Sequence, residues 1–333
     1  MKEKRYFAGA NTTKGFVSYY NDIFMPCSSI YVIKGGSGTG KGRLIRDVAD
    51  SMEADGADVE YFYCSFDPES LDGIIINRDI AVIDGTAPHV YEPSLPGVKE
   101  NILDLGVFWN GNELRAHGDE IRSLINAKKG CFDMAYSYLS VIGALDATKR
   151  KILGKHLKKD TIVAKASKMI SEIKPSKKGK SGVRIISALG RTGEVRFDTF
   201  SEISPRNITL ENKFGEGYLC LELIKKEAER FSLPVTVSYH PIYAGRIDAL
   251  MLGDACAVYL DENEEGMLPE IDEINIQIKS LVSRAEDWLR DASKTHFEIE
   301  KIYSSTMDFD KKEVFTQEFI NRLRSVNNLT NNK

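Results

Sequence analysis

The residues best suited to chemistry form the run Gly35-Gly36-Ser37-Gly38-Thr39-Gly40-Lys41-Gly42. It follows the β-branched stretch Ile30 to Ile33 and precedes the helix-forming Arg43 to Ala54, so it reads as the turn between a strand and a helix. Small residues let successive backbone amides turn inward. Those amides, the helix N-terminus and the Lys41 ammonium then gather positive potential at one point, which suits the phosphates of a nucleotide. Loops of this kind normally carry a hydroxyl after the lysine that ligates Mg2+ between the outer phosphates. Gly42 has none, so phosphate binding is expected to survive while metal placement, and with it hydrolysis or transfer, loses a ligand.

Further chemistry-bearing residues follow the apolar runs. Ile80-Ala81-Val82-Ile83 ends in Asp84, the position from which a carboxylate at a sheet edge reaches a metal ion or its water. The turn Gly85-Thr86-Ala87-Pro88-His89 would set Thr86 and His89 beside the phosphates. His89 could orient water, pair with phosphate or shuttle a proton, or it could simply hydrogen-bond a loop. In Cys64 to Asp72, Asp67 or Ser70 could cap a short helix starting near Pro68. Alternatively, Ser65 and Asp67 face the γ-phosphate and a second substrate.

These residues must be positioned by an α/β frame. Ile30 to Ile33, Val59 to Cys64 and Ile80 to Ile83 are short runs separated by helix-length stretches, the pattern of a parallel sheet buried on both faces. Residues Asn112 to Ile173 carry Leu114, Ile121, Leu124 and Ile125 at helical spacing, which predicts a helical appendage; Ile276 to Val326 repeats it.

The second half also retraces the first elsewhere. Arg5 to Phe24 aligns with Arg184 to Ile203, Ile30 to Ile33 with Ile208 to Leu210, and Phe66-Asp67-Pro68 with Tyr239-His240-Pro241. Ile80 to Ile83 aligns with Cys256 to Tyr259, and Glu120 to Asn126 with Gln277 to Ser283. The second copy is shorter, chiefly opposite Gly85 to Trp109. Two tandem P-loop-like domains are therefore expected, 1–176 and 183–333, each with a parallel sheet and a helical tail. The basic, glycine-bearing Lys174 to Gly182 lies between them as a solvated linker, or as a run that touches phosphate or acidic surface. Aligning Gly215 and Gly217 with Gly38 and Gly40 sets Tyr218 opposite Lys41 and adds Glu216 among the amides, so the second loop is expected not to hold triphosphate.

Composition narrows the partners. A chain of 333 residues with 45 basic against 49 acidic residues has no overall basic field, so nucleic acid is not the expected partner. The charged N-terminus lacks a signal-peptide core, and no apolar run approaches membrane-spanning length. Cys27, Cys64, Cys131, Cys220 and Cys256 lack the paired spacing of a zinc or dithiol motif and read as reduced thiols of a cytoplasmic protein.

The phrase Phe7-Ala8 to Lys14-Gly15, the loop KGGSGTGKG, the segment YCSFDPESLDG and IAVIDGTAPHVYEP resemble a family of bacterial paired P-loop proteins labelled as ATPase or nucleotide kinase. The resemblance is dense over Arg5 to Trp109 and looser beyond it. It implies ATP binding in the cytoplasm and a second P-loop domain, and it brings no established substrate. This sequence departs from the family twice, at Gly42 and at Tyr218-Leu219. The expected function is thus an ATP-binding protein with weak or regulated ATPase activity. A small-molecule or nucleotide kinase using Lys41, Asp84 and His89 or Asp67 is one alternative, and a non-hydrolysing nucleotide sensor that engages a protein through its helical tails is another.

Overall fold

The computed structural model describes residues 3–173, 181–261 and 268–331. The first half runs β1 (Lys4–Phe7), the hairpin β2 (Gly9–Thr12) and β3 (Gly15–Ser18), α1 (Tyr20–Phe24), β4 (Ser29–Lys34), α2 (Lys41–Ala54), β5 (Val59–Tyr63), β6 (Leu71–Ile76), β7 (Ile80–Asp84) and β8 (Glu100–Asp104). Three helices follow: α3 (Gly111–Ala116), the long α4 (Gly118–Leu153) and α5 (Lys159–Glu172). The second half runs β9 (Gly182–Val183), β10 (Ser187–Gly190), β11 (Gly193–Arg196), α6 (Thr199–Ile203), β12 (Asn207–Glu211), α7 (Glu216–Arg230), β13 (Val235–Tyr239), β14 (Ile247–Leu252) and β15 (Cys256–Asp261). It ends in α8 (Pro269–Ser305) and α9 (Phe309–Asn331). Most of the expected linker lies outside the described residues, and its last residue, Gly182, already belongs to β9.

The chain is α/β, and its two main sheets repeat one strand order. The first reads β1-β5-β6-β7-β4-β8 and the second, from its other end, β9-β13-β14-β15-β12. Strand directions repeat as well, and both copies carry an irregularity at the end of the second strand, between Phe62 and Tyr63 and between Ser238 and Tyr239. This shared bulge sets Tyr239 opposite Tyr63, which corrects the alignment of Tyr239-His240-Pro241 with Phe66-Asp67-Pro68. The extra strand β8 falls within the stretch that has no counterpart in the second half.

The sheets are mixed, not parallel. β6 is antiparallel to β5 and β7, and β14 to β13 and β15, whereas β4 pairs parallel with β7 and β8. The helix expected near Pro68 is a turn leading into β6. All six residues of β6 are buried, Asp72 among them. An Ile74-Ile75-Ile76 run favours a strand, and sheet burial outweighs the capping residues before it.

Helix α2 exists because Leu44, Ile45, Val48, Ala49 and Met52 recur at helical spacing and bury one face. The tail helices are exchanged. Phe319, Ile320 and Leu323 of α9 enter the core of the first sheet, whereas Ile162, Ala166 and Ile170 of α5 enter that of the second. Between them α4 and α8 lie along each other through Ala135, Leu139 and Ile142 against Ile278, Ala285 and Leu289. Among the described residues, no helix is long and apolar enough to cross a membrane.

Candidate functional site

The loop Gly35 to Gly40 leaves β4 and enters α2, with Gly38 at φ 71° and Gly40 at φ 77°. Only glycine adopts this left-handed backbone without strain, which is why both positions must be glycine. Lys41 opens the helix and folds over the loop, donating to the carbonyls of Gly36 (2.6 Å) and Gly35 (3.4 Å). Its Nζ stands 3.6 Å from Asp84 Oδ2. The Thr39 hydroxyl donates to the Gly36 carbonyl at 2.9 Å.

Asp84 ends β7 beside the loop, because β7 pairs with β4. Its Oδ1 accepts from the Thr86 amide (2.9 Å) and hydroxyl (2.6 Å), so the turn after β7 is tied to this carboxylate. Lys34 anchors the same turn by donating to the carbonyls of Gly85 and Tyr91. Gly42 faces a neighbour that could replace its missing hydroxyl: a Cβ there would lie 3.2 Å from Ser70 Oγ.

His89 is brought to a different partner. It is 5% exposed, and its Nε2 lies 3.0 Å from Asp72 Oδ2 at the start of β6. Tyr20 stacks on the ring and Phe16 meets it edge-on, each with centroids 5.1 Å away. Burial opposes the imidazolium, yet the Asp72 carboxylate and its hydrogen bond hold His89 well above the usual imidazole range. Cys64, just past β5, completes the group; burial pushes its thiol up, the reverse of what a thiolate nucleophile needs.

Asp67 is engaged by the second half. Arg191 reaches Asp67 Oδ1 at 2.9 Å and Glu69 Oε2 at 2.8 Å, and its amide donates to the Phe66 carbonyl. A Cβ on Gly190 would sit 2.5 Å from the Ser65 carbonyl oxygen, so the β10–β11 hairpin is pressed onto this segment.

Nothing in the sequence pattern signals that helix α8 covers the Gly35 to Gly40 loop. A Cβ on Gly38 would stand 2.5 Å from the Glu300 carbonyl oxygen, and one on Gly36 would stand 2.7 Å from the Tyr303 ring. The hydrogen bond from His296 holds the Glu300 carboxyl below the usual carboxylate range against its partial burial, with Lys41 and the Gly38 amide adding to the effect. Lys128 of α4 stands 3.4 Å from His296 Nδ1, and His296 Nε2 is 3.5 Å from Glu300 Oε1. Lys128 donates to Nδ1, which leaves the ring proton on Nε2 facing the carboxylate. Burial lowers the Lys128 ammonium from its ordinary range.

The second loop is built differently. It spans four residues, Asn212 to Gly215, against six in the first, and the left-handed glycine before its helix is Gly215, the counterpart of Gly40. Glu216 therefore stands opposite Lys41, in place of the expected Tyr218. The Asn212 side chain accepts from the amides of Gly217 (3.0 Å) and Tyr218 (3.3 Å), so these donors are already satisfied.

A separate crevice lined by Tyr6, Asp22, Cys27, Glu60, Arg78 and Arg184 lies where β1 and β9 approach, and contains none of these loop residues. It is bridged by Arg184 and Glu60 at 2.7 Å, a pairing that serves cohesion between the halves. All five cysteines are free. Comparisons with family models, curated proteins and solved structures return no match to this chain.

Proposed function

We propose that the protein binds the phosphates of a nucleoside triphosphate, ATP in the first instance, on the Gly35 to Gly42 loop, and that helix α8 gates this site. The observation that carries the reading is the loop itself: two left-handed glycines, Gly38 and Gly40, lead into a helix headed by Lys41, with Asp84 3.6 Å from the ammonium. Amides, helix terminus and cation converge where phosphate oxygens would lie. The repeated strand order supports two tandem P-loop-type units, the second without a usable cradle.

Mg2+ fits in part. Asp84 offers a carboxylate at the sheet edge, and Ser70, beside the bare Gly42, offers the hydroxyl that position 42 lacks. Such an ion would neutralise charge on the outer phosphates. With only this substitute hydroxyl, turnover is slow, and the activity is a weak, gated ATPase. A second reading, a nucleotide sensor that does not hydrolyse, draws support from Gly42 and from the covering of the loop by Glu300 and Tyr303. The kinase reading is weaker, because Asp67, its acceptor-side carboxylate, is paired with Arg191. Five free thiols suit a reducing, cytoplasmic setting.

Calorimetric titration with Mg-ATP tests the reading on wild type and on Glu300→Ala, which removes the carboxylate that α8 sets beside the Gly38 amide and Lys41. One site per chain that is lost in Lys41→Ala is expected. Absence of binding by both wild type and Glu300→Ala at millimolar ATP would overturn it.

A further inference from the structure

The edge of the first sheet that carries the phosphate loop also holds a buried group with no role in gripping phosphate. Cys64 follows the end of β5, Asp72 is the second residue of β6, and His89 follows β7. Because β6 runs against its neighbours, its beginning meets their ends, and the three side chains come together. A thiol sulfur, a carboxylate oxygen and an imidazole nitrogen lie within 4.8 Å of one another.

The group is polar, enclosed and incomplete. His89 and Asp72 are 5% exposed, and aromatic rings from Tyr20 and Phe16 wall the imidazole. Nε2 of that imidazole meets Asp72, the Cys64 thiol interacts with the ring, and Nδ1 is buried without a hydrogen bond of ordinary geometry. Buried polar atoms are rarely left so, and three donor side chains that converge around such an atom are suited to holding a ligand.

We propose that Cys64, Asp72 and His89 form a binding site for a divalent, thiophilic cation of the zinc class. Sulfur, nitrogen and oxygen donors in this combination are those Zn2+ selects, and three protein ligands leave a position for water or an oxygen of another bound group. Charge favours a divalent ion, since one thiolate and one carboxylate neutralise it and leave the loaded pocket without net charge. Mg2+ and Ca2+ are disfavoured, because both prefer oxygen-only shells. Binding releases the thiol proton and any proton carried by His89 to solvent. The site stands apart from the nucleotide reading and does not depend on it.

Cobalt(II) serves as the probe. Chelator-stripped full-length protein titrated with Co2+ is expected to bind one equivalent, with a near-ultraviolet thiolate-to-cobalt charge-transfer band that Zn2+ displaces. Cys64→Ser should abolish the band, and Asp72→Asn and His89→Gln should each weaken Co2+ binding at least tenfold. Cys27→Ser and Cys131→Ser should leave both unchanged. Zn2+ should also slow alkylation of Cys64 in the wild-type chain, read by peptide mass, so the result stands even if a variant misfolds. No thiolate band in wild type, a band that survives Cys64→Ser, or alkylation of Cys64 at the same rate with and without Zn2+ would each overturn the site. Cobalt binding without a thiolate signature counts as adventitious and overturns it equally.

Discussion

Removing the Glu300 carboxylate should open the phosphate loop. Glu300 lies against Gly38 and receives the influence of its amide, of Lys41 and of His296. A hydrogen bond to a charged group nets about 1.5–3 kcal/mol in a protected setting. The side chain is 36% exposed, so screening cuts this to roughly 1–1.5 kcal/mol. Apparent affinity scales with the fraction of molecules whose site is open, and about 1.4 kcal/mol corresponds to a factor of ten. Glu300→Ala should therefore tighten Mg-ATP binding about tenfold by titration calorimetry. Glu300→Gln keeps an acceptor for Gly38 and loses only the charge, so its gain should be smaller, about threefold. Deleting a negative charge near phosphate would also help binding directly, but that effect fades as salt rises, whereas release of a packed contact persists. A Glu300→Ala protein that melts normally and binds ATP no better than wild type at any salt concentration would refute the covering role.

Lys41→Ala should weaken ATP binding by about 2 kcal/mol or more, roughly thirtyfold, because the desolvated phosphates lose their cation; an unchanged Kd would remove the loop from consideration. Gly42→Ser should raise Mg-dependent ATP hydrolysis about tenfold, and Ser70→Ala should lower it in wild type, both by phosphate release; equal rates in all three proteins would mean another group holds the metal. Because the folded Glu300 carboxyl is depressed, its stabilisation is present above the ordinary carboxylate range and is lost as pH falls through the folded value. The wild-type melting temperature should accordingly drop more steeply below about pH 4.5 than that of Glu300→Gln, and parallel curves would contradict it. Residues 1–173 expressed alone should aggregate or unfold. They lack Phe319, Ile320 and Leu323, each worth about 1.5–3 kcal/mol of burial, which together approach a domain's whole stability of about 5–15 kcal/mol. A sharp, cooperative melt of that fragment would count against the exchange of tails.

What the sequence disclosed was local. The strand, glycine turn and helix around Lys41 are contiguous, so residue type and spacing sufficed. The repeat was legible too, because apolar runs recur in order. Strand direction was not: nothing in Leu71 to Ile76 says which way the chain runs, and the cap-forming residues before it imitate a helix start. The alignment of the two loops failed because evenly spaced glycines match equally well in two registers, and only the left-handed backbone of Gly215 decides between them. His89 cannot be assigned from sequence, because its partner Asp72 lies on a strand whose start is masked by cap-forming residues. Glu300 was beyond reach for a related reason: on a long amphipathic helix a glutamate looks like any solvated residue until the partner helix fixes where it lands.

The two halves cover each other's loops, and the two contacts differ in a way that bears on gating. At the second loop, α4 of the first half supplies Asp146, which pairs with Arg246, and that guanidinium lies over the rings of Tyr218 (4.5 Å) and Tyr243 (4.1 Å). The Asp146 and Arg246 side chains are only 3% and 11% exposed, so breaking the pair would strand buried charge at a cost of about 3–5 kcal/mol. At the first loop the corresponding contact comes from α8 of the second half. It consists of a glycine loop against helix backbone, an aromatic ring and a partly exposed carboxylate. The Gly38 amide faces the Glu300 carboxylate of the other half, whereas the amides of Gly217 and Tyr218 are satisfied by Asn212 from within their own loop. One covered loop is thus a permanent joint between the halves, and the other is a contact that a triphosphate could compete for. Lys41, whose counterpart in the second loop is Glu216, lies under the contact that the proposed gating would open.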